Sequence, residues 1–361
     1  MDQDLLDVYA EYLLSSFSYT TATGLSGLLG GAVSHDQITR WLSSRVRTSS
    51  DLWRLVKRLV REVETDEAVI IFDDSIEEKP YTDENEIICW HYDHSTDRTV
   101  KGINFLTALY RSGGMSLPVA FQLVAKTEPY IDAKSGQAKR RSPVTKNEYY
   151  RQMLTVCVHN RLRFRYVLND NWYASAENMM FVKHQLERDF IMALKSNRKV
   201  ALSAEDKAAG RFQAVSTLAL PEGMLWKVYL ESVDFPVLLA KQVFTNDDGS
   251  TGILYLVTSD VTLDYTCLTT IYQARWKVEE YHRSLKQNAS LAKSPTRTVV
   301  TQTNHFFAAL CAYIKLERLR SGATPNHYAL KSKLYVAALH SAFEQLRALQ
   351  PFRFASLEAT A

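Results

Sequence analysis

The chain has 361 residues, 46% of them hydrophobic and 23% charged, with a formal net charge of +3. That balance excludes a disordered or collagenous chain and leaves room for two or three units with sizeable cores. A charge of +3 is too small to make nucleic-acid binding a property of the whole surface, so local clusters must carry any such reading.

Cys89, Cys157, Cys267 and Cys311 never form a C-x-x-C pair, which argues against zinc and disulfide frameworks and fits a reducing cytosol. The acidic opening MDQDLLDVYAEYLL lacks the basic stretch of a secretion leader. No apolar run reaches about 18 residues, so no membrane span is expected.

Residues 1–65 read as a helical module. Ser34 stands three residues before Gln37 in SHDQITRWLSSR, the spacing of a capping box, and opens a helix that turns Ile38, Trp41 and Leu42 inward. Another helix starts at Ser50 in SSDLWRLVKRLVREVE. The pair has helix-turn-helix character, with Arg40, Arg45 and Arg47 offered to DNA phosphates.

At residue 68 the pattern changes. AVIIFDD is a β-branched run that ends abruptly in acid, as a buried strand does. GINFLTALYR and LPVAFQLVAK read as the next strands, separated by the turn Ser112-Gly113-Gly114. HYDHSTDRTVKG, with His91, Asp93, His94 and Lys101, reads as a hydrogen-bonded loop near the first acid rather than a metal cluster. KSGQAKRRSPVTK then reads as a mobile basic loop, with Lys134, Lys139, Arg140, Arg141 and Lys146 able to track a phosphate backbone.

Helix KNEYYRQMLTVCV, strand RFRYVLN, a helix over 173–187 and strand DFIMALK follow, the last leading into Lys195, Arg198 and Lys199 at the edge of a groove. Trp172 and Tyr173 are expected to pack the start of the helix over 173–187. The order β-β-β-α-β-α-β is that of an RNase H-like core, an α/β fold whose mixed sheet is flanked by helices. Its two parts span 66–199 and 263–320. Between them, WKVYLESV, FPVLLAKQVF and ILYLVTSD make 200–262 a β-rich insertion, with a hairpin turn at Asn246-Asp247-Asp248-Gly249. Residues 321–361 form a C-terminal helical region for DNA or subunit contacts.

Three acids stand out. Asp74 follows strand AVIIF, Asp170 follows strand RYVLN, and Glu279 lies in the helix IYQARWKVEEYHRSLKQ. An acid at a strand end sits at the sheet's edge, where substrate reaches it. Asp74 is preferred to Asp73, which continues the strand's alternation toward the other face. Two such strand ends and a facing helix bring three carboxylates around hard cations. Magnesium suits them, with manganese as its substitute, because it takes oxygen ligands and keeps waters. Two ions about 4 Å apart would activate the attacking oxygen and stabilise the leaving one in phosphodiester transfer.

Tyr272, Arg275, Glu279 and Lys286 have the spacing Y-x2-R-x3-E-x6-K. On one continuous helix, at about 100° per residue, they fall within roughly 60° of each other. That face sets a carboxylate beside a hydroxyl and two cations suited to phosphate. Spacing alone suits an exposed face laced with pairs such as Arg275 and Glu279 equally well.

FDDS, VLNDNWYAS and the complete Y-R-E-K set, in this order, resemble the YREK group of DDE transposases in the insertion-sequence-four superfamily, over roughly residues 20–320. The resemblance implies metal-dependent cleavage of double-stranded DNA at transposon ends and attack of the freed 3′-hydroxyl on target DNA. It implies an RNase H-like core with an inserted β domain, a homodimer holding two ends together, and a place on the bacterial nucleoid. Some relatives stack a flipped base on a tryptophan of the insertion. Trp226 is the tryptophan of the insertion here, and it reads as a packing residue. A nuclease without strand transfer and a catalytically idle DNA-binding descendant are the two other readings, and the intact acids speak against the second.

Overall fold

The computed structural model describes residues 2–93, 96–133, 136–246, 248–321 and 326–349, the side chains of residues 2 and 3 excepted. His94, Lys134 and Asp247 lie outside the described residues.

Helices α1 (Asp2–Ser15), α2 (Ala22–Leu28), α3 (His35–Leu42) and α4 (Ser49–Val63) come first. Ser34 and Gln37 close the capping box of α3, and Ile38, Trp41 and Leu42 are buried. Helix α4 starts one residue before Ser50. The N–H of Thr48 donates to Asp51 at 2.9 Å, which satisfies one of the free donors of a helix start.

Strands β1 (Val69–Glu78), β2 (Ile88–Asp93), β3 (Arg98–Ser112) and β4 (Met115–Leu123) follow. Gly113 and Gly114, at φ 55° and 79°, make the tight β3–β4 turn in the left-handed region that glycine enters without strain. Strand β1 does not stop at its acids. Antiparallel pairing with β3 carries it on to Glu78, opposite Gly102, so Asp73 and Asp74 lie inside the strand rather than at its end. HYD, read as loop, belongs to β2, paired with the first half of β3.

The basic segment is likewise a hairpin and not a loop: β5 (Glu128–Ile131) pairs with β6 (Ala138–Arg141). Next come α5 (Lys146–His159), β7 (Tyr166–Asn169), α6 (Ala176–Met180), a π turn over Phe181–Gln185, and β8 (Asp189–Leu194). The helix expected over 173–187 is therefore short and ends in the wider turn.

Strands β7 and β8 run parallel to β1, and on its other side β3 runs antiparallel to β1 and β4 antiparallel to β3. The resulting order β4-β3-β1-β7-β8 is the RNase H-like arrangement. Val69–Phe72 are all buried because both faces of the central sheet are covered.

The inserted segment holds β9 (Lys199–Ala201), α7 (Ala204–Ala208), β10 (Gln213–Ala214), β11 (Leu225–Leu230), β12 (Val237–Thr245) and β13 (Thr251–Thr258). Tyr255 of β13 pairs with Leu194 of β8, so these strands extend the core sheet to 11 strands.

The last helices are α8 (Tyr265–Gln273), α9 (Trp276–Gln287), α10 (Val299–Ser321) and α11 (His327–Leu349). The Y-R-E-K segment is thus two helices, not one. At the joint, Ala274, Arg275, Lys277 and Val278 each bond three residues back, a tightened turn with no proline or glycine to cause it. Helix α9 packs across β1, and α10 packs on α1, α3 and β4.

Candidate active site

Side chains alternate between the faces of a strand, and on β1 this sorts the two neighbouring acids. Val69 and Ile71 face the layer of α8, α9 and α10, whereas Ile70 and Phe72 face Tyr150 of α5 and Tyr173. Asp73 continues the first series and Asp74 the second.

Asp73 Oδ2 stands 3.7 Å from Arg275 Nη1, and Glu279 Oε1 stands 3.5 Å from the same nitrogen. An oxygen of Asp73, an oxygen of Glu279 and a ring nitrogen of His282 all lie within 4.8 Å of one another. Ile71 pairs with Leu168 in the parallel register, which carries Asp170, just past β7, up beside Asp73. Asp170 is fixed there by accepting the N–H of Trp172 at 2.9 Å. Asp73, Asp170, Arg275, Glu279 and His282, with Lys146, Lys195, Arg283 and Lys286, line a cleft of about 800 Å³.

Electrostatics separate the acids further. Burial, then the charges of Asp170 and Asp74, push the Asp73 carboxyl well above the usual range, and only Arg275 opposes them strongly. Burial also raises Asp170, against the Trp172 N–H and Arg275. Asp74 behaves in the opposite way. Burial favours its neutral form, but Lys146 Nζ at 2.7 Å, Tyr173 Oη at 2.5 Å and Asn104 Nδ2 at 2.8 Å all donate to it and hold it below its ordinary value. Asp74 is a satisfied anion, and Asp73 is a carboxyl group short of positive charge. Cavity, clustered ligand atoms and unmet charge fit a divalent cation at Asp73 and Glu279, in a cleft that Asp170 also lines.

Around them, Tyr272 is buried and donates to the Asn169 carbonyl at 3.3 Å. That contact ties α8 to the strand end that carries Asp170. Lys286 Nζ donates to the Ile76 carbonyl at 2.7 Å and lines the cleft. Lys195 Nζ lies 5.1 Å above the ring of Trp172, which opens into the cleft instead of packing a helix start. Arg198 and Lys199 are not among the described residues that line it.

Arg40 is exposed. Arg45 forks onto Asp51 at 3.0 and 2.8 Å, and Arg47 is buried against Trp41 and Phe307. Lys139, Arg140 and Arg141 pair with Asp132, Glu84 and Glu128. Trp226 packs on the core from β11.

A model of the DDE superfamily endonucleases matches residues 2–211, and a model of the transposase DDE domain matches residues 131–315. The chain belongs to the DDE superfamily. No curated protein matches it. As a DDE enzyme it is a transposase-type nuclease whose partner is DNA, and enzymes of this superfamily generally use divalent metals. None of its described helices is long and apolar enough to cross a membrane.

Sequence spacing does not show Lys146, Asn104 and Tyr173 as partners of Asp74, nor His282 as a neighbour of Asp73 in this DDE enzyme. His282 had a usable signal, because it lies three residues from Glu279 on the same helix. Asn104 and Tyr173 had none: each meets Asp74 only through the fold.

Proposed function

We propose that this DDE enzyme is a YREK-type transposase that cuts a DNA strand at transposon ends and joins the freed 3′-hydroxyl to target DNA. The observation that carries the reading is the meeting of Asp73, Asp170 and Glu279, from β1, β7 and α9, in one cleft rimmed by cations. Asp73 takes the place expected of Asp74, because Asp74 is already neutralised by its own three donors. Two magnesium ions, or manganese in their stead, would be held by the three acids. When bound, they bring positive charge to the scissile phosphate and to the attacking and leaving oxygens.

The protein's own groups do the rest. Arg275 presents a planar fork able to hold two phosphate oxygens once the cations relieve it of Asp73 and Glu279. Lys286 adds a mobile charge, and Tyr272 keeps the Asp170 strand end in register. Lys195 and Arg283 extend the cationic rim along which a DNA backbone runs.

The test uses DNA flanking the coding region as the source of end sequences. Purified protein, magnesium, pre-cut end DNA and a target plasmid should give joined product, and uncut ends should be nicked. Nicking without joining would reduce the enzyme to a nuclease. No metal-dependent cutting would end both readings.

Holding two ends calls for two copies. In α11, Val336, Leu339, Phe343 and Leu346 recur at three- and four-residue steps and are all exposed. This is the pattern of a helix seam. Leu339→Glu with Phe343→Glu should turn a sedimenting dimer into a monomer with an unchanged far-ultraviolet spectrum. A wild-type monomer at micromolar concentration, with and without end DNA, would remove the seam from consideration.

A further inference from the structure

We propose that His282 supplies an imidazole nitrogen to the divalent ion held by Asp73 and Glu279, which biases that site toward manganese over magnesium. The inference rests on the metal reading above and adds a ligand to it. His282 is 6% exposed, and its Nε2 is buried with no hydrogen-bond partner among the described residues. Buried polar atoms are rarely left so, and an orphaned one asks for an explanation such as an ion. The ring is seated edge-on against Phe105, 5.5 Å between centroids, so its direction is set by packing before any ion arrives. On the carboxylate side, a ring nitrogen lies within 4.8 Å of oxygens from both Asp73 and Glu279, a span that one cation bridges.

The chemistry of the donors then sets the preference. Magnesium holds to oxygen ligands and octahedral waters, whereas first-row transition ions accept imidazole readily. A neutral imidazole offers a lone pair that an ion can take. A core histidine that only fills space against Phe105 would give no such preference, and the two roles are separable by spectroscopy.

The experiment is pulsed electron paramagnetic resonance of manganese bound to the full-length protein, unlabelled and with [15N]histidine. A nitrogen coupling that changes with the label is expected, with no variant needed. His282→Gln should abolish it and weaken manganese binding by about tenfold or more, since even an outer partner of a metal ligand contributes about 10–100-fold. Magnesium affinity, read by competition, should fall less. Manganese that depends on Asp73, tested with Asp73→Asn, yet shows no nitrogen coupling would overturn the role of His282 alone. Manganese binding indifferent to Asp73→Asn would overturn the metal site itself, and this proposal with it.

Discussion

Asp73→Asn stops DNA cleavage, by about 1000-fold or more on the scale of removing one preorganised charge-stabilising group, while the protein stays folded. The same exchange one residue on, Asp74→Asn, mainly costs stability. The contrast follows from what each carboxylate meets. Asp73 is crowded by Asp170, Asp74 and Glu279, so an amide there removes repulsion and keeps the shape. Metal-free stability of Asp73→Asn should therefore equal or exceed that of the wild type, while calorimetric binding of divalent ions collapses.

Asp74 is the convergence point of Lys146, Tyr173 and Asn104. An asparagine keeps one acceptor but leaves Lys146 without its counter-charge. Loss of hydrogen bonds to a charged group costs about 2 kcal/mol here, short of a fully buried pair because the Lys146 side chain is 32% exposed. Urea unfolding checks that figure, and cleavage should fall by no more than about tenfold, the scale of about 1.4 kcal/mol in the barrier. An inert, fully stable Asp74→Asn beside an active Asp73→Asn would reverse the assignment.

Local pattern made much of this fold readable. The run Ala68–Phe72 and the capping box at Ser34 each depend on residues close in sequence, and each appears as expected. The choice between Asp73 and Asp74 does not. It depends on which face of β1 receives α9, more than 200 residues later in the chain, and on a strand that β3 prolongs past its polar residues.

The partners of the charge clusters were hidden for a related reason. Arg140 and Arg141 read as DNA contacts in isolation, but Glu84 and Glu128 come back to meet them in the fold. The inserted strands β11, β12 and β13 are legible one by one, whereas the short β9 and β10 carry no such pattern. The joining of the insertion to the core sheet is not legible, because it rests on the edge of β8 finding β13.

Arg275→Ala should bind divalent cations more tightly than the wild type and yet cut DNA on the order of 100-fold more slowly. In the metal-free protein, its guanidinium lies 3.7 Å from Asp73 and 3.5 Å from Glu279, and its side chain is 14% exposed. At these distances the attraction to an ionised carboxylate is worth about 4 kcal/mol before desolvation at an effective dielectric of 20. The arginine thus occupies, electrostatically, the place a cation will take. Removing it lowers metal-free stability and clears the competition, so magnesium should raise the melting temperature of the variant more than that of the wild type.

Cleavage falls all the same, because the fork that would hold the phosphate is gone. Arg275→Lys should recover part of the metal-free stability but little of the rate, since a single ammonium cannot match two phosphate oxygens at once. A merely structural Arg275, one that only organises the acids, makes the opposite forecast: metal affinity and cleavage would fall together. Isothermal titration with magnesium, run beside the cleavage assay on the same preparations, decides between them.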